Sequence, residues 1–341
     1  MQPRTVFAAD HPHAFLPGAA FGLSLGRSSP GRTGATLLLA CLLLGLGVPA
    51  TSWQQVEAQA LPGDPGIVEV DGIRIHYVDQ GVGEPVIFVH GTLQDYSVWL
   101  NHMVAFREEY RAISYSRRHS WPNDNLPPLP GYSAATDAED LARLIEALEL
   151  GPVHLVGFSY GGLTSLILAT HRPELVRSLI LAEPPLDPQP FGLRPAPAML
   201  ERPRFADLAR SGEVREAMEG FLSLFLGSET MQAIPEPMWE HLMLNSREFV
   251  GWVSSSDPFP ALTPQDLERL RMPTLLIVGA NSAGTAFEAM SNAVADHVRG
   301  AEAVTIPGAG HMMWAENPEH THQAVLDFLR RHAIGSDAVR R

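Results

Sequence analysis

The stretch "VHLVGFSYGG" (residues 153–162) decides how the rest of this 341-residue chain is interpreted. Its first six residues form a mostly apolar run, which is typical of a strand covered on both faces. Gly157, Ser159 and Gly161 then give the pattern G-x-S-x-G directly before a helical pattern. In that position the pattern predicts a sharp turn that exposes the serine hydroxyl, while the glycines let neighbouring backbone approach. Ser159 is therefore the candidate nucleophile, and the alternative is a tight glycine-rich turn with an incidental serine.

A serine hydroxyl needs a base to take its proton, and the base in turn needs a partner that holds it in the correct tautomer. We expect the base to be His311, in "IPGAGHMMWAENPE" (residues 306–319), which follows the last predicted strand and precedes the last predicted helix. Other histidines lack an equivalent place. His154 lies within a predicted strand, and the histidines at 320, 322 and 332 belong to a predicted helix.

An acyl-transfer site also needs donors for a developing oxyanion. The segment "HGT" (residues 90–92) follows the third predicted strand. We expect the backbone N–H groups of Thr92 and Tyr160 to be these donors, since one follows that strand and the other follows the candidate nucleophile. His90 itself is interpreted as structural.

Strand and helix patterns alternate along the chain and predict an α/β fold with a mostly parallel, doubly wound sheet. The alternation breaks between Pro184 and about Leu270, where a stretch rich in Pro, Met, Trp and Phe predicts short helices, as in an inserted helical cap. The predicted divisions are an export segment at 1–60, a first core part at 61–183, a cap at 184–270 and a second core part at 271–341. Candidate substrate-facing positions in the cap are Leu200, Phe221, Leu222, Phe225, Met238 and Trp239.

Taken together, these motifs resemble the α/β-hydrolase fold family, from about Gly66 to Ala333. The segments that carry the resemblance are "VHGTLQDYSVW", "GFSYGG", "LILAEPP", "LLIVGA" and "PGAGHMMWAENPEH". The resemblance implies a triad built on Ser159 and His311. Most members place an Asp shortly after the strand that ends here at "VGA", but this loop offers only Asn281 and Ser282.

A minority of the family, including some haloalkane dehalogenases and zearalenone-type lactonases, places the acid one strand earlier. That position is Glu183 in this sequence, at the end of an apolar strand. Burial of a carboxylate is costly unless a charged or hydrogen-bonding group meets it, and His311 is the expected partner. The alternative is a glutamate that begins the cap and faces water. The resemblance to dehalogenases stops at the nucleophile, because they attack with an Asp whereas this chain has Ser159.

The resemblance implies a serine hydrolase that cleaves a small carboxylic ester or lactone through an acyl-enzyme, with no metal and no organic cofactor. Close variants, such as a C–C bond hydrolase or a cofactor-free perhydrolase, use the same residues. A non-catalytic small-molecule-binding protein on the same scaffold is the alternative from another class. The formal charge of −14 argues against a nucleic-acid partner, because phosphate binding needs a basic surface.

The N-terminal region indicates export. Arg27 and Arg32 precede the apolar run "TLLLACLLLGLGV" (residues 36–48), and small-residue sites follow that end at Ala50 and Ala60. At 13 residues this run is shorter than the about 20 of an ordinary membrane span. The sequence therefore predicts a periplasmic or secreted protein without a stable membrane span.

We predict that the mature protein begins near Thr51 or Leu61, because each follows a small-residue cleavage site after the apolar run. N-terminal sequencing of material exported by a bacterial host measures this directly. Exported protein that retains residues 1–40 would contradict it.

Overall fold

The structure, a computed structural model, describes residues 64–333 except 125–128, 228–230 and 232. The predicted export segment at 1–60 and its cleavage sites lie outside the described residues. Within the described part of the chain, no helix is long and apolar enough to cross a membrane.

Eight strands form one sheet in the order β1-β2-β4-β3-β5-β6-β7-β8. Their bounds are Asp64–Val70 (β1), Ile73–Gln80 (β2), Glu84–Val89 (β3), Tyr110–Tyr115 (β4), Val153–Phe158 (β5), Val176–Ala182 (β6), Thr274–Gly279 (β7) and Glu302–Ile306 (β8).

The sheet is antiparallel at one edge and parallel elsewhere. β1 and β2 form a hairpin around Asp71 and Gly72, whose φ angles of 50° and 77° suit the tight turn that such hairpins favour. β2 also pairs antiparallel with β4, whereas every pairing from β4 to β8 is parallel. The prediction of an α/β fold with a mostly parallel sheet is confirmed. In such a sheet the carboxyl ends of the parallel strands share one edge, where ligands bind.

Helices connect the strands. Their bounds are Leu100–Met103 (α1), Ala134–Ala147 (α2), Tyr160–His171 (α3), Pro197–Ser211 (α4), Val214–Leu226 (α5), Glu236–Leu244 (α6), Ser246–Ser254 (α7), Pro264–Glu268 (α8), Ala286–His297 (α9), Met313–Glu316 (α10) and Pro318–Arg331 (α11). Helices α4 to α8 all lie between β6 and β7, the segment predicted to form the cap.

Two buried apolar clusters cover the sheet, one on each face. Ile87 and Val89 of β3 belong to one cluster, and Val86 and Phe88 belong to the other. Because successive side chains of a strand point to opposite faces, this division places the clusters on opposite sides of the sheet. All six residues of β5 are buried, which accounts for the apolar run before Ser159.

The turn from β5 to α3 passes very close to the end of β3. A Cβ atom placed on Gly161 would lie 2.2 Å from the carbonyl oxygen of Val89 and 2.5 Å from that of His90. Both neighbours are backbone atoms of a buried strand end, so neither can move without disturbing the sheet. A residue without a side chain is therefore required at Gly161.

We expect Gly161→Ala to lower the free energy of unfolding by about 3 kcal/mol, because overpacking against backbone forces the strand end apart. Gly131→Ala is the matched control, since none of the described atoms lies within 4 Å of its added Cβ. Urea unfolding monitored by circular dichroism measures both variants, and the control should stay within about 0.5 kcal/mol of the wild type. Equal losses in the two variants would contradict the close-approach argument.

Candidate active site

Ser159 occupies the turn between β5 and α3 in a strained conformation. Its φ of 50° and ψ of −124° lie in a region that residues with side chains rarely adopt, at a cost of about 1–3 kcal/mol. Its N–H donates to the carbonyl oxygen of Ala182 at 2.9 Å, which ties the turn to the end of β6. The serine side chain thus lies at the carboxyl edge of the sheet.

The loop after β8 brings the imidazole of His311 to this serine. His311 Nε2 lies 3.2 Å from Ser159 Oγ. Three phenylalanine rings pack around the imidazole: Phe287 stacks on it with ring centroids 3.8 Å apart and planes at 12°, and Phe158 and Phe225 lie 5.0 and 5.5 Å away. These rings place apolar surface against the imidazole and leave both of its nitrogens open to polar contacts.

The second ring nitrogen of His311 meets Glu183. Glu183 directly follows β6, has a φ of 45° and is fully buried. Its Oε2 lies 2.7 Å from His311 Nδ1, and its Oε1 accepts a hydrogen bond of 2.9 Å from the N–H of Gly279 at the end of β7. The structure therefore brings together Ser159, His311 and Glu183. The carboxylate of Glu183 does not face water, which was the alternative that the sequence left open.

The loop after β7 supplies no acid to His311. Asn281 donates from Nδ2 to the carbonyl oxygen of Gly308 at 3.2 Å, and the neighbouring Ser282 is buried. Glu288 lies in α9 and accepts from the N–H of Gly284 at 2.7 Å. Among the described residues, Glu183 is thus the acid that is hydrogen-bonded to the imidazole.

Two backbone N–H groups border the serine. Tyr160 is the first residue of α3, so its N–H has no acceptor within the helix. Thr92 lies in the loop after β3 and lines the same cavity as Ser159. In the described part of the chain, neither N–H donates to another protein group. Neither expected donor is thus occupied by another described group of the protein.

His90 binds backbone rather than facing the cavity. Burial, reinforced by the charge of Arg117, lowers the pKa of His90 well below its usual value, so the ring is neutral. Its Nδ1–H donates to the carbonyl oxygen of Gly91 at 2.9 Å, and Nε2 accepts from the N–H of Arg117 at 3.0 Å. These contacts agree with its interpretation as a structural residue.

An apolar cavity of about 60 Å³ opens at Ser159 and His311. Three of the six candidate positions of the predicted cap, Phe221, Leu222 and Phe225, line it. The other three do not: Met238 and Trp239 are buried in the apolar cluster, and the side chain of Leu200 is 64% exposed beside a separate depression.

Sequence reasoning did not identify Phe287, which stacks on His311, or Glu248, a fully buried glutamate of α7. Both lie on helices whose patterns predict only packing, and no motif marks either position. Among the described residues, no group of three or more His, Cys, Asp or Glu side chains is arranged to hold a metal ion.

The chain is similar to known proteins over most of its length. It is 29% identical over 273 residues to the non-heme chloroperoxidase CPO-A1 of Kitasatospora aureofaciens, a match covering 76% of this chain and 98% of that one. A candidate esterase/lipase of Haemophilus influenzae is 28% identical over 266 residues, covering 76% and 88% respectively.

The fold is similar to that of a solved bromoperoxidase from Bacillus anthracis, with a TM-score of 0.64 and 24% identity over 78% of this chain and all of that one. Residues 86–322 match the model of the alpha/beta hydrolase family. This match covers more than half of the chain and includes the serine turn, the buried glutamate and the histidine loop. The chain therefore belongs to the alpha/beta hydrolase family.

Proposed function

We propose that this protein is a serine hydrolase that cleaves a carboxylic ester or lactone through an acyl-enzyme. One observation carries the proposal. A continuous hydrogen-bonded chain runs from Ser159 Oγ through His311 to the buried carboxylate of Glu183, and the serine opens onto a cavity. Along the sequence the serine comes first, the acid second and the histidine last, which is the order used in this fold. The similarity to one protein named as an esterase/lipase and to one named as a non-heme chloroperoxidase supports an enzymatic role.

In the proposed reaction, Ser159 Oγ attacks the carbonyl carbon of the ester while His311 Nε2 takes its proton. The Nδ1–H of His311 donates to Glu183, which holds the tautomer that leaves Nε2 free to accept and stabilises the imidazolium that forms. The negative charge that develops on the substrate oxygen is bound by the N–H groups of Thr92 and Tyr160.

His311 then gives its proton to the departing alkoxide, which leaves an ester of Ser159. Water attacks this acyl-enzyme, with His311 again acting as base, and the acid is released as the serine is regenerated. None of these steps requires a metal or an organic cofactor.

The apolar lining of the cavity supports a substrate whose acyl part is apolar. Phe221, Leu222 and Phe225, all from α5, line the cavity that Ser159 also lines. We propose that the helical segment at 184–270 acts as a cap that shapes this pocket, and that specificity resides there because apolar walls select by shape.

A second candidate function is cofactor-free perhydrolysis, favoured by the similarity to the non-heme chloroperoxidase. Hydrogen peroxide would replace water in the attack on the acyl-enzyme, so the products would be a peracid and free Ser159. Measuring peracid formation from a short carboxylic acid and hydrogen peroxide distinguishes this activity from hydrolysis.

We also propose that the protein acts outside the cytoplasm. The charged and apolar pattern before Ala50 and Ala60 supports this proposal. A substrate of the mature enzyme would then be a molecule found in the periplasm or the medium.

We expect a fluorophosphonate probe to label the wild-type protein at one site and to fail on Ser159→Ala, because Ser159 is the proposed nucleophile. The variant should keep its circular dichroism spectrum and lose ester hydrolysis. Absence of labelling in folded wild-type protein would favour the non-catalytic binding protein. Turnover retained by Ser159→Ala would refute the proposed mechanism.

We expect Glu183→Gln to lower kcat by a factor on the order of 10⁴. The N–H of Gly279 would hold the amide oxygen of the new side chain, which turns the amide NH₂ toward His311 Nδ1 and favours the wrong tautomer. Steady-state hydrolysis of an activated ester measures the effect. Ser282→Ala and Glu288→Gln are the controls and should stay near the wild type. A large loss in Glu288→Gln with little change in Glu183→Gln would assign the acid to the later position.

A further inference from the structure

A group of fully buried polar side chains lies beneath the loop that carries Thr92. Arg117 donates from Nη2 to Glu248 Oε1 at 2.7 Å and from Nη1 to Asp137 Oδ2 at 2.5 Å. The hydroxyl of Tyr132 also donates to Glu248 Oε1. Each of these four side chains is at most 2% exposed. Although burial opposes the charge, the neighbouring Tyr132, Asp137 and Glu248 hold the pKa of Arg117 well above its usual value. We call these four residues the buried ionic cluster.

The cluster binds the backbone on both sides of Thr92. Arg117 Nη2 donates to the carbonyl oxygen of Gly91 at 3.1 Å. Glu248 Oε2 accepts from the N–H of Leu93 at 2.9 Å, and Leu93 has a φ of 63°, which is uncommon for a residue with a branched side chain. The peptide groups that flank Thr92 are therefore held by two charged side chains.

The same cluster contacts the residue after the nucleophile. The guanidinium of Arg117 lies over the ring of Tyr160, 4.8 Å from its centroid, and the ring of Tyr132 lies 5.7 Å from that of Tyr160. The hydroxyl of Tyr160 donates to the carbonyl oxygen of Pro258 at 2.6 Å. Arg117 thus touches both segments that supply the available N–H groups at Ser159.

We propose that Glu248 and Arg117 are positioning residues that hold the N–H of Thr92 at the correct distance and angle from the N–H of Tyr160. Glu248 comes from α7, in the segment between β6 and β7, so the oxyanion-binding loop is complete only when that helix is docked. This inference rests on the proposed hydrolase function and adds to it the residues that set the geometry of the donors.

The chemical reason is that oxyanion donors act by being fixed before the charge develops. A loop held only by its own backbone would reorient when the negative charge forms, and a displacement of about 1 Å at a reacting group lowers the rate on the order of 10²-fold. Buried carboxylate and guanidinium groups resist such displacement, because breaking one contact leaves an unpaired buried charge.

The experiment compares Glu248→Gln with Asp140→Asn in the full-length protein. Asp140 is 1% exposed and forms a bidentate pair with Arg118, but it does not contact the loop of Thr92. The two substitutions therefore remove a similar buried carboxylate charge, one attached to the oxyanion loop and one not. Leu93 and Arg117 donate to different oxygens of Glu248, and a glutamine replaces one of these oxygens by an NH₂ group, so one of the two donors loses its acceptor.

We expect Glu248→Gln to lower kcat for an activated ester on the order of 10²-fold with little change in KM, since the lost interaction acts only in the transition state. Affinity for a trifluoromethyl ketone, which forms an oxyanion on Ser159, should fall by the same factor as kcat/KM. Asp140→Asn should keep both values near the wild type while losing a comparable amount of thermal stability.

If the wild-type enzyme is active and the two variants change kcat and ketone affinity equally, the positioning role is overturned. The hydrolase function would then still stand. An inactive wild type that a fluorophosphonate does not label would instead refute the proposed function. If Glu248→Gln does not fold, Tyr132→Phe decides, because it removes the hydroxyl that donates to Glu248 and accepts from Arg117 while it keeps every charge of the cluster. It should lower kcat and ketone affinity together, and unchanged values would overturn the proposal.

Discussion

A buried carboxylate needs hydrogen-bond donors, and at Glu183 the donors come from two separate strand ends. One oxygen accepts the N–H of Gly279 at the end of β7, and the other meets the imidazole of His311 after β8. Satisfying this carboxylate therefore requires that β6, β7 and β8 end at one edge of the sheet. The loop of His311 also crosses β7 closely, because a Cβ on Gly279 would lie 2.3 Å from the carbonyl oxygen of Gly310. The site and the sheet thus stabilise each other.

The proposed position of the acid, at Glu183, agrees with the absence of a carboxylate from the loop after β7. In the usual arrangement of this fold that loop carries the acid, whereas here the backbone N–H at its start binds the acid of the preceding strand. Both Ser159 and Glu183 adopt positive φ angles immediately after buried strands. Such strain persists only where surrounding contacts hold it, and at these two positions the contacts are the strand ends themselves.

The helices between β6 and β7 contact the loop after β3 as well as the cavity. Glu248 reaches across 155 positions of sequence to bind the N–H of Leu93, and α5 supplies apolar residues of the cavity wall. A buried ion pair contributes little net stability but is costly to break. The buried ionic cluster therefore favours the arrangement of core and helices that keeps its contacts. The shape of the pocket and the geometry of the candidate oxyanion donors are therefore coupled through the same helical segment.

Much of the fold could be predicted from periodicity alone, because β5 and β7 are mostly apolar runs and Asp71 and Gly72 together are a strong local signal for a turn. Boundaries follow less directly from the pattern, since β6 ends at Ala182 and leaves Glu183 just beyond the strand, and the last helix begins at Pro318, before the histidines at 320 and 322. In the latter case Asn317 caps the helix through its side chain and Pro318 suits the first turn, which apolar periodicity does not indicate.

By itself the sequence determined the strand-turn-helix at Ser159, the histidine that follows the last strand and the absence of an acid after β7, since each depends on neighbours within a few residues. Only the tertiary structure decided that Phe287 stacks on His311 and that Glu248 supports the loop of Thr92. Those contacts join segments far apart in the chain, and their energy depends on burial and on distance in space. Neither quantity is encoded in a local pattern.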